Sequence, residues 1–598
     1  MTETIASLVA EHRSGRIAVA DTIERTLARI RKVDDPAIFI TLREEAAVLS
    51  DARALSADNA FASPLFGVPV AIKDNIDVAG LPTTAACPAF SYLPSRDATA
   101  VARLKRAGAI VIGKTNLDQF ATGLVGTRTP YGTPRNPLRV DLIPGGSSSG
   151  SAVAVARGIV PLALGTDTAG SGRVPAALNN IVGLKPSLGL VSTTGLVAAC
   201  RSLDCVSIFA LTVGDAFAAL QAIAGPDEAD PYSRRLSIGP LSPPPPQLRI
   251  GVPRAADRYF LGSRQAQAAF EQAERMVGRL GASLAKIDLT LFFEAAKLLY
   301  DGPWVAERTA AVGDFIASRP GDVHPVTRAI ISQGAGKSAV DAFRGFYRLA
   351  ELRTEARRIF SDIDMLMVPT APAACSIAEV EADPIGLNSK LGTYTNFVNL
   401  LDLAALAVPV SLAGDGMPFG VTLLAPSGQD AQIAGFGALL HARCGVPLGA
   451  FGAPQPPLPP LANGPMVDEV AIAVVGAHLS GMPLNHEFRA LGGRFLEATS
   501  TAEDYQLFAL DGGEVRRPGL LRVPDGTGAA IELEIWALPI EGFGRFVAAV
   551  PPPLAIGSIR LSDGRLVKGF LAEAQAVAGA RNISSFGSWR AFVAAEGR

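Results

Sequence analysis

Residues 144–187, PGGSSSGSAVAVARGIVPLALGTDTAGSGRVPAALNNIVGLKPS, hold two glycine–serine loops around a helix-like segment, SAVAVARG, and a short apolar strand, VPLAL. The glycines at 145, 146, 150, 170 and 172 permit close backbone approach, which a site needs when several N–H donors must converge on one oxygen. The flanking periodic segments distinguish the stretch from a flexible Gly/Ser linker. A serine in such a loop is a poor nucleophile until a base removes its proton. Histidine is the usual base, yet the chain ahead of residue 449 contains only His12, His324 and His441, none in a glycine-rich loop. A Ser-His-Asp triad is therefore not expected. Lysine can take the role if burial disfavours its charged form. Lys73 ends the alternating stretch FGVPVAIKDN, where Val70 and Ile72 supply apolar surroundings. Alone it would read as a strand-end surface lysine; its meaning comes from the serines it would have to reach.

Those loops require a scaffold. Residues 1–60 read as amphipathic helices, with Ile23, Leu27 and Ile30 on one face. Strands are expected over 66–75 and at AIVIG (109–113), after which helical and strand patterns alternate. The expected class is α/β, a mixed β-sheet core flanked by helices. GAIVIGKT (108–115) fits the spacing of a phosphate loop, but its intervening residues are themselves a strand and cannot wrap an anion. LSPPPPQL (241–248) reads as a surface loop within the first domain. GAFGAPQPPLPPLANGPM (449–466) is Pro- and Gly-rich and reads as a semi-rigid linker. The expected organisation is a first domain over 1–448, the linker, and a smaller α+β domain over 467–598. Strands are expected there at VAIAVVG, AAIELEIWALP and GRFVAAV, with antiparallel or mixed pairing.

The bulk numbers exclude several function classes. At 598 residues, with 48% hydrophobic and 18% charged side chains, the chain is a packed globular protein of more than one domain. A net charge of -2 without clusters of Lys and Arg argues against nucleic-acid binding. No secretory leader is evident, and the longest apolar runs fall short of the ~18 residues a membrane span needs. Five scattered cysteines, Cys87, Cys200, Cys205, Cys375 and Cys444, read as reduced thiols of a cytoplasmic protein, with no metal-ligand spacing. No cofactor is implied.

The 144–187 block resembles the amidase signature family almost position for position, and the likeness extends over roughly residues 60–445. The resemblance implies the fold named above. It also implies Ser171 as nucleophile, Ser147 as bridging serine 24 residues earlier, Lys73 as base, and a cis peptide at Gly146–Ser147. The backbone N–H groups of Thr168, Ala169, Gly170 and Ser171 would form the oxyanion hole. The sequence departs from the family pattern at Gly172, usually a branched aliphatic residue, and at Ala169, commonly glycine. Both departures adjoin the nucleophile and are expected to reshape the pocket.

DTAGSGR (167–173) and GPWVAER (302–308) resemble the branch of that family that cleaves allophanate (urea-1-carboxylate) to ammonia and carbon dioxide. By that resemblance Tyr300 and Arg308 hold the substrate carboxylate. An arginine suits the task because its planar fork grips a carboxylate through two parallel hydrogen bonds. From spacing alone, Arg308 would be a helix-surface partner of Glu307 or Asp301. The branch carries a C-terminal domain resembling the γ-glutamylcyclotransferase fold. There GAHLSGMPLNHEF (476–488) is the segment most like a site, with His478 the candidate acid/base against an alternative of simple packing or oligomerisation. The partners implied are a small carboxylated urea, a second copy of the chain in a homodimer, and a urea carboxylase. The alternatives are another small-amide hydrolase acting on aliphatic or malonamate-like amides, the amidase component of a transamidating complex, and a non-catalytic binding protein on the same fold.

Overall fold

The computed structural model describes residues 3–55, 63–458, 461–510 and 515–596. It divides into two compact units, the larger made of residues 1–238, 250–280 and 284–459, the smaller of 239–249, 281–283 and 460–598. Part of the helical reading of residues 1–60, at 1–2 and 56–60, lies outside the described residues, as do positions 459 and 460 of the expected linker.

The larger unit is built on one mixed sheet. Its strands are β1 (Phe39–Leu42), β2 (Pro69–Lys73), β3 (Ile110–Thr115), β4 (Leu162–Thr166), β5 (Val182–Lys185) and β6 (Val206–Ala210), then β7 (Arg249–Pro253), β8 (Ser283–Ile287), β9 (Met365–Pro369), β10 (Leu403–Leu412) and β11 (Pro418–Pro426). They run in the order β1-β3-β2-β4-β6-β5-β10-β11-β9-β7-β8. β2 lies parallel to β3 on one side and to β4 on the other, with Val70 opposite Val111 and Leu162. β2, β3 and β4 are buried along their whole lengths, so both faces of each are covered and the alternation read at 66–75 does not mark an exposed face. The phosphate-loop look-alike is accordingly a core strand, with Ile110 through Thr115 all buried.

Helix Val19–Val33 places Ile23 and Leu27 in the core, and helix Ser149–Ala156 is buried at every position. Both helices contribute to one hydrophobic cluster with Phe66, Ile110, Ala163 and Phe209. A second cluster gathers Phe292, Leu299, Trp304, Phe397 and Leu424. Within residues 1–60 the short strand β1 interrupts the expected helices, because Phe39–Leu42 pairs antiparallel with the edge of β3. Among the described residues no helix is long and apolar enough to cross a membrane.

The smaller unit contains β12 (Glu469–Val474), β13 (Arg494–Ser500), β14 (Tyr505–Leu510), β15 (Arg517–Arg522), β16 (Glu532–Pro539), β17 (Leu554–Arg560), β18 (Leu566–Ala572) and β19 (Arg581–Asn582). They form a five-stranded sheet, β13-β16-β12-β18-β17, and a three-stranded one, β15-β14-β19. Pairing is mixed, since β12 runs antiparallel to β16 and parallel to β18. Two expectations change here. GRFVAAV belongs to helix Ile540–Ala548, which follows Pro539 and buries Gly542 and Phe546 one turn apart; a short apolar run cannot be assigned by periodicity alone. The proline run at 241–248 groups with the smaller unit rather than the first domain.

Candidate active site

Parallel pairing puts the ends of β2 and β4 at the same edge of the sheet, and the site is assembled there. Lys73, the last residue of β2, is completely buried. Its Nζ lies 2.7 Å from Ser147 Oγ and 2.8 Å from Thr166 Oγ1 at the end of β4. Burial brings its pKa down to about 7, against the opposing pull of the Asp118, Asp167 and Asp204 carboxylates. Two neighbouring serines of the PGGSSSGS loop have other duties. Ser148 donates to the Thr166 carbonyl and Ser151 to the Leu164 carbonyl, tying helix Ser149–Ala156 to β4. Of these hydroxyls, that of Ser147 is the one within reach of the amine. The Gly146–Ser147 peptide is cis.

Beyond Thr166 the chain enters the 167–173 loop, which folds around one carboxylate. Asp167 accepts two parallel hydrogen bonds from Arg173, at 2.8 and 2.9 Å, and two more from the backbone N–H groups of Gly170 and Gly172. Burial alone would raise its pKa, but the Arg173 charge and these bonds outweigh it and hold the carboxyl below its ordinary value. Arg173 also donates to the Thr395 carbonyl, and Thr395 Oγ1 donates to the Ala169 carbonyl at 2.7 Å. Gly170 has φ +129, and a Cβ there would lie 2.4 Å from Thr395 Oγ1, so both conformation and space require glycine.

This clamp corrects one predicted role. The Gly170 N–H is committed to Asp167 at 2.8 Å and is not a free donor for an oxyanion. The carboxylate that shapes the loop uses it up. The N–H groups of Thr168, Ala169 and Ser171 carry no such bond to Asp167. A Cβ at Gly172 would meet Ser207 of β6 at 2.4 Å and Asp167 at 3.1 Å, so the missing side chain at 172 lets the loop pack closely on the sheet.

Ser171 is 3% exposed, and its Oγ donates to the Gly123 carbonyl at 3.4 Å. The structure brings Lys73 and Ser147 together but does not join Ser147 to Ser171 by a hydrogen bond. The preceding residue of the same turn, Thr122, accepts at its hydroxyl from Arg308 Nη1 at 3.0 Å. Arg308, in helix Trp304–Ser318, is buried, reaches the Tyr300 hydroxyl at 3.3 Å and lies over the Tyr300 ring. It does not pair with Glu307, whose carboxylate takes the N–H and hydroxyl of Ser202 and the thiol of Cys200. Nucleophile candidate and guanidinium therefore contact two consecutive residues, Ser171 the carbonyl of Gly123 and Arg308 the hydroxyl of Thr122.

In the smaller unit, His478 lines a cavity of about 390 Å³ together with Glu487, Arg517, Arg545, Phe546 and Phe570. Its Nε2 lies 2.9 Å from Glu487, and its ring stacks on Phe570. Burial lowers its pKa, opposed by the Glu487 carboxylate. His486 is exposed and bonds to the Pro483 carbonyl. Among the described residues no group of three or more His, Cys, Asp or Glu side chains is arranged to hold a metal ion.

Sequence reasoning missed Asp118, Thr122, Gly123, Arg128, Thr166, Asp204 and Thr395. Asp204, buried and accepting from Thr168 and the Ala199 and Cys200 N–H groups, has its pKa pushed up to about 6 by that burial. Nothing local marks these residues as parts of a site, since most of the groups they serve lie tens to hundreds of positions away.

A buried lysine against a loop serine, facing a second glycine–serine loop at the edge of a mixed sheet, defines an amidase-type site. Residues 21–434 match the Amidase family, and the chain belongs to it. Residues 470–594 match the allophanate hydrolase C-terminal domain. The chain is 44% identical over 576 residues to the urea amidolyase of Lachancea kluyveri, covering 94% of this chain and 31% of that protein. To the urea amidolyase of Saccharomyces cerevisiae it is 45% identical over 552 residues, 90% of this chain and 30% of that one. It thus spans about a third of the length of these relatives. It is 41% identical to the structure of Kluyveromyces lactis allophanate hydrolase, with a TM-score of 0.79 and 99% of both chains covered.

Proposed function

We propose that the chain hydrolyses allophanate to ammonia and carbon dioxide through Ser171, Ser147 and Lys73. The observation that carries this reading is the 2.7 Å contact between a fully buried Lys73, whose pKa burial lowers to about 7, and Ser147 Oγ. In its neutral form the amine accepts the Ser147 proton while Ser147 accepts that of Ser171. This requires Ser171 Oγ to turn from the Gly123 carbonyl toward Ser147. Ser171 Oγ then bonds to the ureido carbonyl carbon. The N–H groups of Thr168, Ala169 and Ser171 receive the oxyanion, each worth about 2.7–4 kcal/mol in such sites. Lys73 returns the proton through Ser147 to the departing ammonia. Water cleaves the acyl-enzyme to N-carboxycarbamate, which takes up a proton and loses carbon dioxide to leave carbamate, whose own breakdown gives the second ammonia and carbon dioxide.

The contacts of Ser171 with Gly123 and of Arg308 with the adjacent Thr122 support a small substrate whose carboxylate lies close to its amide, with Tyr300 and Arg308 as the anion holders. That requirement, and the residues matching the allophanate hydrolase C-terminal domain, favour allophanate over a neutral aliphatic amide or the substrate of a transamidating complex. Ammonia release from allophanate, malonamate and a neutral amide tests the choice, with allophanate expected to be fastest. Ser171→Ala should abolish turnover and fluorophosphonate labelling together. Substantial remaining activity would reject the nucleophile.

His478 is proposed as acid/base for N-carboxycarbamate. Its support is the cavity it shares with Glu487, Arg517 and Arg545, two cations suited to a dianion. Association as a homodimer belongs to the same reading. Helix Ala339–Asp362 buries Gly345, Leu349 and Leu352, yet on its opposite face exposes Val340, Phe343 and Tyr347. Coupling to a urea carboxylase is supported by the longer urea amidolyase relative, of which this chain matches 31%. Five free cysteines support a reducing, cytoplasmic setting.

A further inference from the structure

Arg128 lies outside every motif in the sequence, yet it shares one residue with Arg308. Arg308 Nη1 donates to the Thr122 hydroxyl at 3.0 Å, and Arg128 Nη1 donates to the Thr122 carbonyl at 2.9 Å. Both side chains are buried, 1% and 2% exposed. Their remaining bonds go to neutral oxygens, the Tyr300 hydroxyl for Arg308 and the Pro384 carbonyl for Arg128. Among the described residues the Nε of each has no hydrogen-bond partner.

The carboxylates whose charge they feel are spent on other donors. Asp118 accepts from the backbone N–H groups of Val125, Gly126 and Arg128. Asp204 takes Thr168, Ala199 and Cys200. Glu307 takes Ser202 and Cys200. Two buried guanidinium groups without a directly bonded carboxylate leave positive charge that a substrate anion can pair with. Arg128 also fixes the turn that carries the Gly123 carbonyl, the acceptor for Ser171 Oγ. A Cβ at Gly123 would lie 3.2 Å from Arg128 Nη1, which shows how closely the guanidinium backs that turn.

We propose that Arg128 is a positioning residue for the anionic end of the substrate, acting through Thr122. It sets the Thr122 hydroxyl that orients Arg308 and adds a second buried positive charge behind the carboxylate. This rests on the reading of Arg308 as the carboxylate holder. The test is steady-state kinetics on allophanate with the full chain, comparing Arg128→Met, Arg128→Lys and Arg308→Met. Arg128→Met should raise KM at least about tenfold, the order expected when a charge-assisted contact is lost, while kcat falls much less. Arg128→Lys keeps the charge but cannot span two carbonyls, and should raise KM by a smaller factor. If the Met variant fails to fold, the Lys variant carries the test. A KM unchanged in whichever Arg128 variants fold, or a fall in kcat alone, overturns the proposal. If Arg308→Met also leaves KM unchanged, the carboxylate-site reading itself has failed. If Arg308→Met raises KM and the Arg128 variants do not, only the role of Arg128 is lost.

Discussion

The two candidate sites place a basic group in different surroundings. Lys73 is 0% exposed, held by two hydroxyls at 2.7 and 2.8 Å, within the field of three carboxylates. His478 sits among Phe488, Phe546 and Phe570 in an open-sided cavity, with one carboxylate partner, Glu487, itself well exposed. Burial depresses both bases, yet a histidine starts near neutrality and a lysine does not. Lys73 reaches about 7 only because its desolvation outweighs the nearby negative charge. A buried ammonium is costly in a merely structural position, whereas a histidine in an aromatic cluster is ordinary packing. The comparison teaches that the first site needs a chemical explanation, while the second acquires one only through its cavity and flanking arginines.

The largest expected effect sharpens that contrast. Lys73→Met should lower kcat/KM on the order of 10⁴-fold, as loss of an activating base does. In the unaltered protein, acylation requires the neutral amine. Because raising the pH deprotonates Lys73, kcat/KM should climb through about pH 7 and level off above it. A flat profile from pH 6 to 9 would remove Lys73 as the base and erase the difference between the two sites.

A smaller effect is expected at the second site. His478→Ala should leave ammonia release by the first step intact and slow carbon dioxide release by about 10²-fold, the lower end of what one acid/base group contributes. Following the two gases separately measures this, and equal retention of both rates would reduce His478 to packing. The smallest effect on catalysis belongs to Phe343→Glu, which should convert a dimer to single chains in analytical ultracentrifugation with activity per chain preserved. An unchanged mass would detach that exposed stripe from assembly.

The sequence by itself determined the sheet's central strands and the buried helix after the first glycine–serine loop, because apolar runs and glycine spacing are local features. Lys73, Ser147 and Ser171 stand out through the resemblance to the amidase signature family, not by local pattern alone. The sequence also determined that GAIVIGKT is a strand, since β-branched residues cannot wrap a phosphate. Tertiary structure alone decided what depends on distant partners. Parallel pairing of β2 and β4 set Lys73 beside Thr166, 93 positions away. Thr395 came to Ala169 across 226 positions, and Arg308 to Thr122 across 186. The commitment of the Gly170 N–H to Asp167 likewise depended on how the loop closed, because a backbone donor carries no mark of its partner in the sequence. Helix Ile540–Ala548 differs from the strand its residues suggest for a related reason: an apolar run fits helix or strand, and packing against the rest of the unit chooses between them.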